Sequence, residues 1–121
     1  RNRKMTVQEL IALTGARDMT PDAPKDREVT CGYTCDLLSW VMAHGKAGMA
    51  WITVQTHMNV IAVASLMEMA AVIIPEGIEM EEATLNKARE EEICVLQSDR
   101  TAYELCALMA ETGLPGTPRE E

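Results

Sequence analysis

Phenylalanine is absent from this 121-residue sequence, and aromatic residues make up only 3% of it. The hydrophobic share of 47% is ordinary for a globular protein, so the core has to consist of aliphatic side chains and of the nine methionines. A chain of this length has room for one core and not for two. We therefore expect residues 1–121 to form a single domain, with an ordered core over about 5–113 and a mobile, polar tail over 114–121.

Positive charge is also scarce: the sequence has 11 lysines and arginines and 19 aspartates and glutamates, which gives a formal net charge of −8. A field of this sign repels phosphate backbones and anionic lipids, so we expect neither nucleic acid nor a membrane surface as a partner. The one basic run, residues 1–4, is short and terminal. The longest apolar stretch, residues 60–75, is interrupted by Ser65 and Glu68 and cannot span a bilayer. With no signal peptide evident, the expected location is cytoplasmic.

Familiar metal-binding and catalytic motifs are missing as well. Cys31 and Cys35 have three residues between them, not the two of common zinc sites, and neither His44 nor His57 completes such a site. Four scattered cysteines without a secretory signal are expected to be reduced thiols. The sequence has no phosphate-binding P-loop and no serine nucleophile elbow. We expect no catalytic residue, no metal and no cofactor.

What the sequence does contain is an alternation of apolar strands and amphipathic helices. Thr6 and Glu9 form a capping-box pair that opens a first helix, which ends at Gly15, and residues 16–28 indicate a loop with room for a short strand. The expected later elements are a strand over 29–33, a helix ending near 45, a strand over 49–55, a helix over 57–69, a strand over 71–74, a helix over 79–91, a strand over 93–96 and a helix over 100–112.

This order implies parallel strands joined by helical crossovers. It predicts an α/β three-layer sandwich with a mainly parallel sheet flanked by helices. Two helix starts have alternative caps, Thr34 or Asp36 for the second helix and Ser98 or Asp99 for the last. The second helix is expected to bury an apolar stripe formed by Leu37, Leu38, Val41 and Met42.

Polar residues concentrate where strand 49–55 passes into the next helix. Gln55, Thr56, His57 and Asn59 lie within one turn there, and Asp36, at a predicted loop position, is a fifth ligand-binding candidate. Carboxyl ends of parallel strands border ligand crevices, and helix N-termini offer free N–H groups to a phosphate or carboxylate. The alternative is structural, with Thr56 capping the helix while the other side chains bond to loop carbonyls. His57 lacks a convincing catalytic partner and is expected to act as a hydrogen-bonding residue.

Three segments carry a resemblance to a known family. Residues 26–33 (DREVTCGY), 36–39 (DLLS) and 51–60 (WITVQTHMNV) together resemble the DRTGG domain family, and the likeness covers about residues 5–113. The same fold is similar to the N-terminal domain of HPr kinase/phosphorylase. Members occur attached to CBS-domain pyrophosphatases and other regulated enzymes, so the resemblance implies dimerisation or effector sensing and implies no reaction. Cys31 and Cys35 depart from the family pattern.

These observations predict a non-catalytic regulatory or dimerisation module that senses a small anionic or nucleotide-like effector at residues 55–59. One alternative is a structural interaction subunit of a larger enzyme system, redox or hydrogenase-associated. A further alternative is a redox or metal module that uses Cys31, Cys35 and one of the later cysteines. The expected partners are a second copy of the chain and, as an alternative, a larger enzyme or regulatory protein.

Overall fold

The computed structural model describes residues 5–118, which alternate between short strands and helices. The elements along these residues are β1 (Met5–Thr6), α1 (Val7–Thr14), β2 (Arg17–Asp18), β3 (Glu28–Val29), β4 (Cys31–Thr34), α2 (Leu38–His44), β5 (Met49–Ile52), α3 (Asn59–Leu66), β6 (Ala71–Ile74), α4 (Glu82–Glu91), β7 (Val95–Gln97) and α5 (Ala102–Glu111).

The main sheet has the strand order β2-β7-β6-β5-β4. Strands β4 to β7 are parallel to their neighbours, and β2 alone pairs antiparallel, with β7. Trp51 lies opposite Tyr33 on one side and Val72 on the other, so the carboxyl ends of these strands meet at one edge of the sheet. Strands β1 and β3 form a separate antiparallel pair. The mainly parallel α/β fold is confirmed.

Helices cover both faces of the sheet. Alternate residues of β5 point to opposite faces, with Met49 and Trp51 in one core cluster and Ala50 and Ile52 in the other. The first cluster includes buried residues of α2, α3 and α4, and the second includes residues of α1 and α5. The central strands are therefore apolar without interruption, because both of their faces are buried.

The predicted opening of the first helix is confirmed. Thr6 accepts the Glu9 N–H at 3.2 Å, and the Glu9 carboxylate accepts the Thr6 N–H at 2.9 Å. Gly15 ends the helix in the left-handed conformation, with φ of 68°, and donates its N–H to the Ile11 carbonyl. Local sequence determines this element completely, because every partner lies within four residues.

Helix α2 corrects two expectations. Its N-cap is Leu37, and no side chain bonds to its first turn, so neither Thr34 nor Asp36 is a cap. The expected buried stripe contributes Val41 to the core, whereas Leu37 and Met42 are exposed. The physical reason is position: α2 follows β4, which is the last strand of the sheet, so no further helix covers the outer side of α2.

Helix α5 begins at a cap that the sequence analysis missed. Thr101 accepts the Glu104 N–H at 3.0 Å, and the Glu104 carboxylate accepts the Thr101 N–H at 2.8 Å. This is a second capping box, and it displaces Ser98 and Asp99 from the role expected of them. The Ser98 hydroxyl instead accepts the Arg100 N–H at 3.1 Å in the preceding turn.

The structure also revises the strand expected over 29–33 and the tail expected over 114–121. The strand expected over 29–33 is divided, because Val29 pairs with Met5 in the small sheet while β4 joins the main one. The expected tail is held at its beginning, since the Pro115 carbonyl accepts the Gly32 N–H at 2.9 Å and Leu114 packs on the core. Residues 119–121 lie outside the described part of the chain. Within residues 5–118, no helix has both the length and the apolar character to cross a membrane.

Candidate functional site

The polar turn lies at the carboxyl end of the central strand β5. The strand ends at Ile52, three residues before the expected end, and helix α3 begins at Asn59, two residues after its expected start. Residues 53–58 therefore form a loop that leaves the sheet. Thr53 opens this loop with its N–H donated to the Ile73 carbonyl at 3.1 Å, and its side chain is buried. The structure thus brings residues 55–59 together at the sheet edge where the sequence placed them.

Asp36 and Gln55 hold two loops together. One carboxylate oxygen of Asp36, Oδ1, accepts the Thr53 hydroxyl at 2.8 Å and the Val54 N–H at 2.9 Å. The Gln55 side-chain amide donates to the Asp36 carbonyl at 2.8 Å. The Asp36 carboxylate also explains why β5 ends early, because the Val54 N–H is bonded to it and not to a neighbouring strand. Asp36 and Gln55 therefore hold the turn in position through bonds to the protein's own loops.

Thr56 connects the turn to helix α4. Its hydroxyl donates to the Glu81 carboxylate at 3.4 Å, and its carbonyl accepts the hydroxyl of the buried Thr84 at 2.7 Å. The N-cap of α3 is Met58, whose side chain makes no capping bond, and Thr56 bonds to none of the first N–H groups of the helix. The alternative in which Thr56 caps α3 is therefore wrong. Thr56 serves to fix the distance between the β5–α3 loop and the start of α4.

His57 bonds to the first turn of α3. Its Nδ1 accepts the Asn59 N–H at 3.2 Å, which in a neutral ring leaves the Nε2 proton as the donor. The His57 carbonyl accepts the Val60 N–H at 3.0 Å, and the Met58 carbonyl accepts the Ile61 N–H at 3.0 Å. The first N–H groups of the helix are thus already occupied, so α3 itself does not present them to a ligand.

The groups that remain for a ligand lie just before the helix. The backbone N–H groups of Thr56, His57 and Met58 have no acceptor among residues 5–118. The Asn59 side chain, with no bonding partner in the same range, and the His57 Nε2 lie on the exposed side of the turn. All of these groups can donate hydrogen bonds, so the turn can receive an oxygen of a phosphate, carboxylate or carbonyl.

The electrostatic setting of the turn is not basic. The Glu81 carboxylate lies beside the Thr56 hydroxyl. Within residues 5–118, no lysine or arginine is bonded or ion-paired to residues 53–59. A highly charged anion would be repelled by Glu81 and stabilised only by neutral donors.

Cys31, Cys94 and Cys106 lie in environments that disfavour thiolate formation. All four cysteines are free thiols, and Cys31 and Cys94 are buried. Burial raises the pKa of the Cys31 and Cys106 thiols and raises that of Cys94 to about 11. Cys31 and Cys35 lie along one extended segment, about 13 Å apart at the usual rise per strand residue, which is too far for a disulfide. Among residues 5–118, no three His, Cys, Asp or Glu side chains form a group suited to a metal ion.

A surface cavity of about 440 Å³ lies at the opposite edge of the sheet. Gly48, Ala70 and Ile93, which line it, precede the parallel strands, and its charged lining includes Arg27 and Glu68. None of the five candidate residues contributes to this cavity. No sequence pattern indicates this cavity, because its walls come from segments far apart in the chain.

The chain was compared with known proteins. No family model matches the sequence, and none of the curated proteins matches it. Among solved structures it is similar to the CBS and DRTGG domains of the regulatory region of Clostridium perfringens pyrophosphatase, complexed with the activator diadenosine tetraphosphate. The TM-score is 0.68 at 11% identity, over 95% of this chain and 51% of that one. The chain thus spans about half the length of that structure, and the likeness shows a shared fold.

Proposed function

We propose that this chain is a non-catalytic regulatory module that senses a small effector at the turn formed by residues 55–59. The observation that carries the proposal is the run of three consecutive N–H groups, from Thr56 to Met58, without an acceptor among residues 5–118. Such a run at the carboxyl end of a parallel strand is a typical place for a phosphate or carboxylate to bind. The regulatory region with a similar fold is complexed with a nucleotide activator, which supports a nucleotide-like effector here.

The surroundings of the turn indicate the kind of effector. Val54 and Met58 are exposed on the turn and offer apolar contact to an uncharged portion of a ligand. Glu81 disfavours a dense cluster of negative charge. An effector with one anionic or carbonyl oxygen at the turn and an apolar or aromatic portion beside it fits both features.

A catalytic role for the turn has little support. The Nδ1 atom of His57 is occupied by the backbone N–H of Asn59. The Asp36 carboxylate accepts two bonds within the loop pair, and the Glu81 carboxylate accepts the Thr56 hydroxyl. His57 is therefore not bonded to a nucleophile among residues 5–118.

Removal of a single backbone N–H tests the proposal. Met58 has a φ of −56°, which proline can adopt, and proline is tolerated at the start of a helix. Met58→Pro deletes one of the three donors, and Met58→Ala is the matched control that deletes only the side chain. Ligand probes are diadenosine tetraphosphate, ATP, pyrophosphate and acetate, each titrated into ¹⁵N-labelled protein.

We expect at least one probe to shift the amide resonances of Thr56 and His57 in the wild type and in Met58→Ala, and to shift them far less in Met58→Pro, which has no amide proton at position 58. Perturbation that is equal in both variants would remove the turn from consideration as the site. A chain that folds but responds to none of the probes would favour the second candidate function, a structural interaction subunit. That candidate is supported by the exposed apolar side chains of α2.

A further inference from the structure

We infer that the cavity at the amino ends of the parallel strands binds a free α-amino acid, held by its carboxylate and its ammonium group, with a basic side chain favoured. Its volume of about 440 Å³ falls in the range of about 300–1,000 Å³ that is typical of small-molecule sites. The cavity lies at the sheet edge opposite residues 55–59, and none of those residues lines it. It is therefore a second site, separate from the turn of the proposed function.

The inner wall of the cavity belongs to the sheet. Ala70 and Ile93 line it although they are only 1% and 3% exposed, so the cavity reaches the residues that lead into β6 and β7. Gly48 joins two other walls, because it donates its N–H to the Glu68 carbonyl at 2.9 Å and its carbonyl accepts the Thr30 N–H at 2.8 Å. A site whose walls are already fixed by the fold loses little entropy when a ligand binds.

Opposite charges line this cavity without neutralising each other. Within residues 5–118, neither the Arg27 guanidinium nor the Glu68 carboxylate has a hydrogen-bond or ion-pair partner. The two groups therefore do not pair with each other, although both line the same space. The Ser65 hydroxyl, also on the lining, has no partner in that part of the chain. The cavity thus offers a cationic donor, an anionic acceptor and a hydroxyl that can serve as either.

The lining discriminates against ligands that carry charge of one sign only. A purely anionic ligand would be repelled, because three of the lining side chains are carboxylates: Glu28, Glu68 and Glu91. A purely cationic ligand would meet the unpaired guanidinium of Arg27. A zwitterion avoids both penalties, since its carboxylate can accept two parallel N–H groups from Arg27 while its ammonium donates to Glu68.

Two helices end at the cavity and add to its negative potential. Ser65 lies in the last turn of α3, and Glu91 is the last residue of α4. The C-terminal end of a helix carries a partial negative charge, which favours a cation beside it. Lys87 neutralises Glu91 only in part, because their ion pair of 3.3 Å is solvent-exposed. We therefore expect an amino acid with a second positive group to bind more tightly than one with a neutral side chain.

A metal ion is a poorer occupant of this cavity than an organic ligand. Among residues 5–118, no three carboxylate, imidazole or thiol side chains come together in a group suited to a metal ion. The charges are instead spread around the walls. Such spacing suits a ligand whose own charged groups are separated by several bonds.

Titration of four related compounds into ¹⁵N-labelled protein tests the inference. L-lysine carries all the expected groups, L-norleucine lacks the side-chain amine, 1,5-diaminopentane lacks the carboxylate, and hexanoate lacks both amines. We expect L-lysine to shift the amide resonances of Gly48, Glu68, Ala70 and Ile93, and L-norleucine to do so at higher concentration. The dissociation constants of 1,5-diaminopentane and hexanoate should be about tenfold or more above that of L-lysine, because each compound leaves a charged group of the cavity unpaired.

Two substitutions assign the two ends of the ligand. Arg27→Gln should weaken L-lysine binding about tenfold or more without weakening 1,5-diaminopentane, because only the carboxylate contact is lost. Glu68→Gln should weaken the binding of both amines. The matched controls Arg17→Gln, on β2, and Glu111→Gln, on α5, make the same charge changes outside the cavity and should alter the dissociation constants by no more than about twofold. Circular dichroism reports whether each variant is folded.

Three results would overturn the inference. The first is that none of the four compounds shifts the cavity resonances of the wild type. The second is that 1,5-diaminopentane binds the wild type as tightly as L-lysine, which would assign the cavity to cations in general. The third is that the control variants weaken binding as much as the cavity variants, so that only net charge matters. The first two results need no variant and stand even where a substitution prevents folding.

The effector turn and the cavity are read from different amide resonances, so the two proposals fail separately. If Thr56 and His57 respond to no probe while the cavity resonances respond to L-lysine, the effector turn is wrong and the amino acid site stands. If only Thr56 and His57 respond to their probes, the reverse holds.

Discussion

The Asp36 carboxylate accepts the hydroxyl hydrogen of Thr53 at 2.8 Å and thereby joins the loop after β4 to the loop after β5. Thr53 is 1% exposed, so water cannot easily replace this acceptor. The same oxygen holds the Val54 N–H. One carboxylate therefore sets the end of the central strand and the position of the turn that follows it.

Removing this carboxylate should destabilise the protein. Asp36→Ala leaves the Thr53 hydroxyl and the Val54 N–H without their acceptor, which costs about 1–3 kcal/mol for a buried group. Asp36→Asn keeps an acceptor oxygen and should lose less. The free energy of unfolding, measured in urea, checks the order of the three proteins. Asp22→Ala, at an exposed position, is the control and should change stability by no more than about 0.5 kcal/mol.

Glu81 should oppose the binding of an anion at the turn. Its carboxylate accepts the Thr56 hydroxyl at 3.4 Å, so Glu81→Gln removes a negative charge beside the proposed ligand site. We expect an anionic probe that binds the turn to bind several-fold more tightly to this variant, as measured by isothermal titration calorimetry. Glu90→Gln makes the same charge change near the other end of α4 and should have a smaller effect. Equal effects in the two variants would mean that only net charge matters.

Three glutamates occupy a backbone conformation that favours glycine. Glu68, Glu76 and Glu92 have φ of 57°, 67° and 57°. Glu92 is the C-cap of α4, where its negative charge is also unfavourable beside the helix C-terminus. Glu92→Gly should therefore raise the free energy of unfolding by up to about 1 kcal/mol. Glu90→Gly, inside the helix, should lower it by up to about 1 kcal/mol. Chemical denaturation of both variants tests whether the left-handed backbone conformation of Glu92 causes the change in the free energy of unfolding.

Cys94 should make stability depend on pH in the alkaline range. Burial raises the pKa of its thiol from the ordinary 9.0 to about 11. In the unfolded chain the thiol ionises near pH 9, whereas in the folded protein it stays protonated up to about pH 11. The stability that comes from keeping this thiol protonated is therefore complete below pH 9, and it is lost as the pH rises from 9 to 11.

Over this pH range, ionisation of Cys94 should lower the free energy of unfolding by on the order of 2 kcal/mol. Urea unfolding at several pH values should show a shallower decline in Cys94→Ala than in the wild type. Val95→Ala creates a cavity at the neighbouring residue, in the core on the other face of the sheet, without removing a titratable group, and it should keep the wild-type slope. An unchanged slope in Cys94→Ala would show that other groups account for the decline.

Local features of the fold were predictable because their partners are close in sequence. The strand Ala71–Ile74 has the bounds that its apolar run indicates, and the Thr6–Glu9 capping box starts α1. The Thr101–Glu104 box carries the same signal and was overlooked in favour of Ser98 and Asp99. The Thr101–Glu104 signal is present in the sequence, but Ser98 and Asp99 are equally plausible caps by residue type.

The roles of the candidate residues could not be predicted in the same way. Asp36 bonds to Thr53 and Val54, which are 17 and 18 residues away, and Thr56 bonds to Glu81, 25 residues away. The periodicity of apolar residues along the sequence does not indicate such long-range pairs. The sequence could place polar side chains at the sheet edge, but it could not show that Asp36 and Gln55 are occupied within the protein while backbone groups remain open.

The sequence by itself determined the α/β class, the parallel arrangement of strands that the alternation implies, and the collection of polar residues after β5, because burial patterns and helix signals are local. Tertiary structure alone decided which donors at the turn are free and which side of α2 stays exposed. Both depend on what packs against each residue from distant parts of the chain. Leu37 and Met42 show this most directly: their helix lies over the edge of the sheet, so apolar residues that the pattern places in a core remain on the surface.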